Sequence, residues 1–162
     1  MGYVFFYRFK GMNIGIAEES GVDGEPAIVR LFFGGDVPKG FVKQETALLK
    51  KAAGQMEEYF AGKRKEFSLP LALKGTEFQM SVWKALQSIP YGETRSYKDV
   101  AALVGNAKAT RAVGMANNRN PVAIIVPCHR VIGYNGALVG YASGVEFKRL
   151  LLDLEQGKSR NG

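Results

Sequence analysis

Cys128 and His129 are adjacent, and each is the only residue of its type in the chain. A thiol held in a rigid, dry setting near an imidazole is how a chain presents a nucleophile. The apolar run Ile124-Ile125-Val126 leads into them, Pro127 fixes the backbone before the sulfur, and Val131-Ile132 follows Arg130. Free cysteine also packs as a small buried hydrophobe, so the thiol alone does not name a function. Adjacency does not settle the matter either, because neighbours in an extended strand point to opposite faces. Either the chain turns at this point or the cysteine and histidine work together indirectly.

Composition narrows the classes. The chain has 162 residues, 46% hydrophobic and 23% charged, enough for one ample core or two small domains. One cysteine excludes an internal disulfide and fits a reducing compartment. With one cysteine and one histidine, no structural zinc site and no metal are expected. No stretch approaches the length of a membrane span, and the N-terminal residues do not read as a signal peptide, so a cytoplasmic protein is expected.

The formal net charge is +7. Residues 1–75 hold 11 basic and 9 acidic side chains, and residues 76–162 hold 11 and 6. No carboxylate lies between Asp99 and Glu146, where Lys108, Arg111, Arg119 and Arg130 all fall. Such a segment can approach a polyanion without like-charge repulsion. Charge alone leaves an ordinary solvated basic surface equally open.

The elements that must position these residues fall into two groups. Tyr3–Phe9, Asn13–Glu18 and Ala27–Phe33 read as strands of an antiparallel sheet, with Phe5, Phe6, Phe9, Phe32 and Phe33 as core aromatics. Gln44–Phe60 has helical periodicity and ends at Gly62. Residues 63–74 read as a linker, giving domains 1–74 and 75–162.

Beyond Gly75 the pattern changes to short helices. Thr76 and Gln79 form a capping box for a helix carrying Phe78, Val82, Trp83, Leu86 and Ile89, stopped by Pro90. Ser96 opens a second helix through Leu103, and Asn106 is placed to cap a third from Ala107 to about Asn117. Two short helices joined by a glycine-containing turn are the helix-turn-helix signature. Ala107, Ala109, Ala112, Gly114 and Ala116 make the third helix small-sided, with Arg111 as the long basic group among them. The glycine at 114 costs ~1 kcal/mol relative to alanine, which points to a packing or contact requirement. The last helix, Val145–Glu155, is expected to bury Phe147, Leu150, Leu151 and Leu154.

Taken together, Gly75-Thr76-Glu77-Phe78-Gln79, Ile89-Pro90-Tyr91-Gly92-Glu93-Thr94, Arg111-Ala112-Val113-Gly114, Asn120-Pro121 and Val126-Pro127-Cys128-His129-Arg130-Val131-Ile132 resemble one family. They are similar to the O6-alkylguanine-DNA alkyltransferases, or methylated-DNA–protein-cysteine methyltransferases. The resemblance covers residues 75 to 157. It implies an α+β fold: a ribonuclease-H-like antiparallel sheet with a helix, then a helical, winged-helix-like unit bearing the helix-turn-helix.

The resemblance also implies a reaction and a site. Cys128 takes the alkyl group from O6 of a guanine, or from O4 of a thymine, and keeps it, so each molecule acts once. His129 is the base, reached through a water, Glu155 orients the imidazole, and Asn120 braces the turn. Tyr97 supplies a proton to N3 of the leaving guanine. The base is flipped from double-stranded DNA through the minor groove, with Arg111 filling the gap. Thr110, Ala112 and Gly114 lie on that surface, with Lys108 and Arg119 beside it. Pro127, Val131, Tyr141, Ala142 and Ser143 line the pocket, no cofactor is needed, and a monomer is expected. Taken alone, Glu155 reads as an exposed helix-end charge, Tyr97 as a helix-start aromatic, and Arg111 as a phosphate contact. Two other readings stand beside this one: a non-catalytic helix-turn-helix sensor of alkylated DNA, and a Cys–His hydrolase with Asn120 as orienting residue. Cys128 argues against the sensor, whose kind lacks the cysteine. Ser143 before Gly144 departs from the paired glycines common in the family.

Overall fold

The computed structural model describes residues 2–138, 141 and 144–158. The chain divides into two compact units, Met1–Lys74 and Gly75–Gly162.

The first unit is a four-stranded sheet with one helix. Strands β1 (Gly2–Phe9), β2 (Met12–Ser20) and β3 (Pro26–Phe33) form the antiparallel meander that their branched and aromatic residues favour. A short strand, β4 (Phe41–Lys43), adds a parallel pairing to β1, giving the order β3-β2-β1-β4. The sheet is therefore mixed rather than purely antiparallel. Helix α1 (Ala47–Phe60) starts three residues later than its periodicity suggests, because Thr46 Oγ1 caps it by accepting from Leu49 N at 3.1 Å.

Ile14, Ile16, Ile28, Leu31, Leu49, Met56 and Tyr59 are fully buried. The phenylalanines expected at the centre are only partly buried. Phe6 and Phe32 meet edge-to-face at 5.9 Å, and Phe9 stacks on Phe60 at 5.3 Å. The segment read as a linker is tied down: Ile28 N donates to Pro70 O, and Ala72 N donates to Ile28 O.

The second unit begins with α2 (Glu77–Gln87), whose capping box from Thr76 and Gln79 is formed. A second capping box, Ser96 with Asp99, opens α3 (Tyr97–Leu103). The chain leaves α3 through Gly105 at φ +82°. It then makes an extra turn before α4 (Thr110–Asn118), where Ala109 N donates to Asn106 O at 3.0 Å. Asn106 is thus spent in the turn, and the third helix starts at Thr110 rather than Ala107. Val113 and Ala116 face inward, while Trp83 Nε1 donates to Ala116 O at 2.9 Å. The small-residue surface is consequently narrower than the sequence suggests.

Between the helices a two-stranded parallel sheet pairs β5 (Arg95–Ser96) with β6 (Val131–Ile132). Helix α5 (Val145–Glu155) closes the unit. Its inner face is Phe147, Lys148, Leu151, Leu152 and Glu155, so Leu150 and Leu154 lie only partly covered and two charged residues take buried places.

Candidate active site and nucleic-acid surface

Cys128 opens a single 3-10 turn, Cys128–Arg130, that is buried throughout. The chain does turn where adjacency alone could not decide. Asn120 holds the approach: its Nδ2 donates to Val126 O at 2.7 Å and its Oδ1 accepts from Val122 N at 3.0 Å. Ile124, inside this braced loop, has φ +71° and is 1% exposed. A β-branched residue in the left-handed region is a true outlier, of the kind that clusters at functional sites when the surroundings impose it. Burial raises the Cys128 thiol above its ordinary pKa. A hydrogen bond from the Asn120 side chain, the Lys148 charge, and the backbone at Cys128 and Ile124 pull the other way.

His129 is fully buried, and its Nε2 lies 2.6 Å from Glu155 Oε2. Arg130 clamps the same carboxylate. Its Nε donates to Oε1 at 2.7 Å, Nη2 to Oε2 at 3.0 Å, and Nη1 to Ile89 O at 2.7 Å. Burial alone would raise the Glu155 pKa, but the bonds from His129 and Arg130 outweigh it and hold the carboxyl well below the usual range. Burial also dominates at His129, lowering its pKa although Glu155 opposes the shift. The imidazole is therefore neutral near pH 7, with Nε2–H donating to the carboxylate. Its Nδ1 then carries the lone pair, and Nδ1 has no hydrogen-bond partner among the described residues. Glu155 is thus not an exposed helix-end charge. Asn120 serves the loop and the thiol rather than the imidazole, which removes the support for a hydrolase-type triad.

Two buried groups escaped the sequence reading. Arg130, counted there among cations open to a polyanion, is 7% exposed and paired with Glu155. Lys148 is fully buried beside the site, its Nζ donating to Val131 O at 2.6 Å. Burial brings the Lys148 pKa down to about 8, against the pull of Cys128. The signal available for both was position: Arg130 stands two residues after the thiol, and Lys148 interrupts an otherwise apolar helix face.

Tyr97 follows directly on β5, and β5 pairs with the strand immediately after Arg130, so the sheet carries Tyr97 to the site. It is partly buried, and burial and then Cys128 raise its pKa, while a hydrogen bond from the Asn117 side chain lowers it. Pro127 and Val131 are buried next to the thiol in sequence. Tyr141 is partly buried, with its pKa raised well above the ordinary value, first by burial and then by Cys128 and Glu155. Ala142 and Ser143 lie outside the described residues.

The outer side of α4 presents Thr110, Arg111, Ala112 and Met115, all exposed, with Gly114 half-buried. A Cβ on Gly114 would meet only the Tyr97 ring, at 3.9 Å, so packing does not demand glycine there. Lys108, in the preceding turn, and Arg119, at the helix end, are exposed beside it.

Comparison with known proteins agrees with this arrangement. Residues 77–157 match the 6-O-methylguanine DNA methyltransferase DNA-binding domain, and residues 23–73 match the ribonuclease-like domain of the same proteins. The methylated-DNA–protein-cysteine methyltransferase of Methanosarcina acetivorans is 60% identical over 120 residues, covering 74% of this chain and 76% of that protein. The crystal structure of Mycobacterium tuberculosis O6-methylguanine methyltransferase superposes with a TM-score of 0.86 at 40% identity, covering 100% of this chain and 97% of that one. The structure of the M. tuberculosis protein in complex with DNA matches with the same score and identity, covering 96% and 93%.

A ribonuclease-like unit followed by a helix-turn-helix unit with a buried thiol defines a DNA-binding methyltransferase. The chain belongs to the methylated-DNA–protein-cysteine methyltransferase family, whose members repair DNA by direct reversal. No helix among the described residues is long and apolar enough to cross a membrane.

Proposed function

We propose that this chain repairs O6-alkylguanine in double-stranded DNA, with Cys128 as the acceptor, once per molecule and without a cofactor. The observation that carries the reading is the buried neutral His129: its Nε2 is engaged by Glu155, and its Nδ1 is left as a base on the residue that follows the chain's one thiol. The thiol proton passes to Nδ1 through a bridging water, and the thiolate attacks the alkyl carbon. A sulfur–carbon bond forms as the carbon–O6 bond breaks. Tyr97 gives its proton to N3, so the guanine departs neutral, and the imidazolium returns a proton to the phenolate through solvent. Glu155 keeps the imidazole in the required tautomer, and Asn120 holds the loop and the thiol.

The base reaches the thiol by rotating out of the helix, at a cost of a few kcal/mol. Arg111 fills the gap it leaves. The small groups at Ala112 and Gly114 let α4 lie close in the minor groove, with Thr110, Lys108 and Arg119 on the backbone. Pro127, Val131, Tyr141, Ala142 and Ser143 form the pocket. O4-alkylthymine is a second candidate substrate for the same thiol. The protein works as a cytoplasmic monomer.

Incubation with O6-benzylguanine followed by intact-mass measurement tests the reading. One benzyl group is expected on the wild-type protein and none on Cys128→Ala. Turnover beyond one equivalent would mark a hydrolase, and no adduct a binding module.

A further inference from the structure

Met115 stands in the middle of the outer side of α4 and is 57% exposed. Residues four apart on a helix are neighbours on one face, so Arg111 and Arg119 flank it, one turn to each side. The spacing holds to the helix end, where Arg119 N donates to Met115 O at 3.2 Å. Single exposed apolar side chains are ordinary on a protein surface. This one differs in its setting. Of the exposed large hydrophobics among the described residues, it alone has an arginine four residues to each side. No carboxylate occurs between Asp99 and Glu146, so α4 carries no charge that repels a polyanion. The face is apolar at its centre and cationic at its ends, which complements a groove walled by phosphates. A helix brought close to DNA by small groups such as Ala112 cannot leave a thioether of this length in water between the two surfaces.

We propose that Met115 enters the minor groove beside Arg111 and packs as an apolar wedge against the base step flanking the extruded nucleotide. Methionine is among the residues that minor-groove proteins insert between base steps, partly unstacking them. Four residues advance an α-helix by about 6 Å, so Met115 meets the duplex within about two base steps of the gap that Arg111 fills. Loosening that step weakens the stack that holds the damaged base and lowers the cost of turning it out. A flexible thioether adapts to an irregular groove floor and reads no base edge, so the device is indifferent to the flanking sequence. The arginines supply charge and Met115 supplies apolar area, and salt separates the two contributions. The inference rests on the reading of α4 as the element that docks in the minor groove with Arg111 in the gap.

Repair of a duplex carrying O6-methylguanine, at saturating protein, is compared with the reaction of free O6-benzylguanine for wild type, Met115→Ala and Met115→Leu. Both replacements are good helix formers at an exposed position, so the variants keep the fold. Met115→Ala is expected to slow duplex repair about tenfold, the worth of covering most of one large apolar side chain. Free O6-benzylguanine should react with it as with wild type, because no base is extruded. Met115→Leu should restore most of the duplex rate. The slope of log affinity against log salt concentration should stay the same in Met115→Ala, since no phosphate contact is lost. An equal loss with duplex and free base would overturn the proposal, as would a leucine variant no better than alanine. A slope flattened by about 0.9 would also overturn it, by marking the loss as electrostatic. If wild type takes the benzyl group from the free base yet leaves duplex lesions intact, the docking reading fails and this inference with it. If wild type repairs the duplex and Met115→Ala keeps pace, this inference alone falls.

Discussion

Glu155 Oε2 lies 2.6 Å from His129 Nε2, and that contact decides which imidazole nitrogen is a base. A carboxylate accepts and does not donate, so Nε2 carries the proton and Nδ1 the lone pair. Arg130 makes the arrangement permanent by keeping Glu155 ionised in a site that would otherwise favour its neutral form.

Removing the charge at Glu155 should harm both folding and reaction. In Glu155→Gln the buried Arg130 loses its counter-ion, a change that costs about 3–5 kcal/mol when one partner of a buried pair is deleted. Urea denaturation is expected to show a loss of that order, with benzyl transfer slowed at least tenfold. A variant as stable as wild type would contradict the clamp.

The same site sets a pH dependence. His129 is held below its ordinary pKa, so its unfolded form binds the proton more readily, and stability from the neutral imidazole is complete above about 6.5 and falls below it. Glu155, also depressed, adds stability above the ordinary carboxylate range near 4.3 that is lost as the pH drops toward its folded value. Urea midpoints for wild type should fall from pH 7 to pH 4, with a shallower fall below pH 5 in Glu155→Gln. Parallel curves would sink this account.

Lys148 places a positive charge near the thiol without touching solvent. In Lys148→Met thiol alkylation at pH 7, where Lys148 still holds its proton, is expected to slow severalfold, the effect of losing a nearby opposite charge. Iodoacetamide rates at pH 7 read this directly, and an unchanged rate would remove Lys148 from the electrostatics of Cys128.

Arg111→Ala should slow repair of duplex DNA at least tenfold more than reaction with free O6-benzylguanine, because only the duplex requires base extrusion. Parallel rate measurements on the two substrates decide it; equal losses would reduce Arg111 to a folding or general binding role.

Cys128 is 5% exposed in a braced loop, so an alkyl group added there must displace packed atoms. The benzylated protein is expected to melt several degrees below the free protein. Identical melting curves at full labelling would show that the site had room to spare.

Much of this was legible in the residue order. The capping box of Thr76 with Gln79 is a local pattern of two side chains and forms as expected, and Ser96, read as opening the second helix, does so through a second box with Asp99. What escaped were features fixed by distant partners. Strand β4 has three residues and exists because β1 lies beside it. Arg130 read as a surface cation and Lys148 went unremarked, because the carboxylate and the carbonyl that receive them come from elsewhere in the chain. Asn117 was named only as the end of the third helix, yet it is buried with its Nδ2 3.4 Å from Cys128 O, a partner that only the fold brings to it. The start of α4 was misplaced because Asn106 has a capping side chain but is used in a turn.

The closure of Arg130 onto Glu155 also bears on how ions leave the DNA when the protein arrives. A guanidinium already neutralised inside the protein displaces no counterion from a phosphate. Of the four cations in the carboxylate-free segment, only Lys108, Arg111 and Arg119 remain exposed. Each phosphate they neutralise contributes about −0.9 to the slope of log affinity against log salt concentration. The basic stretch should therefore release about three ions at most, one fewer than its four formal charges imply.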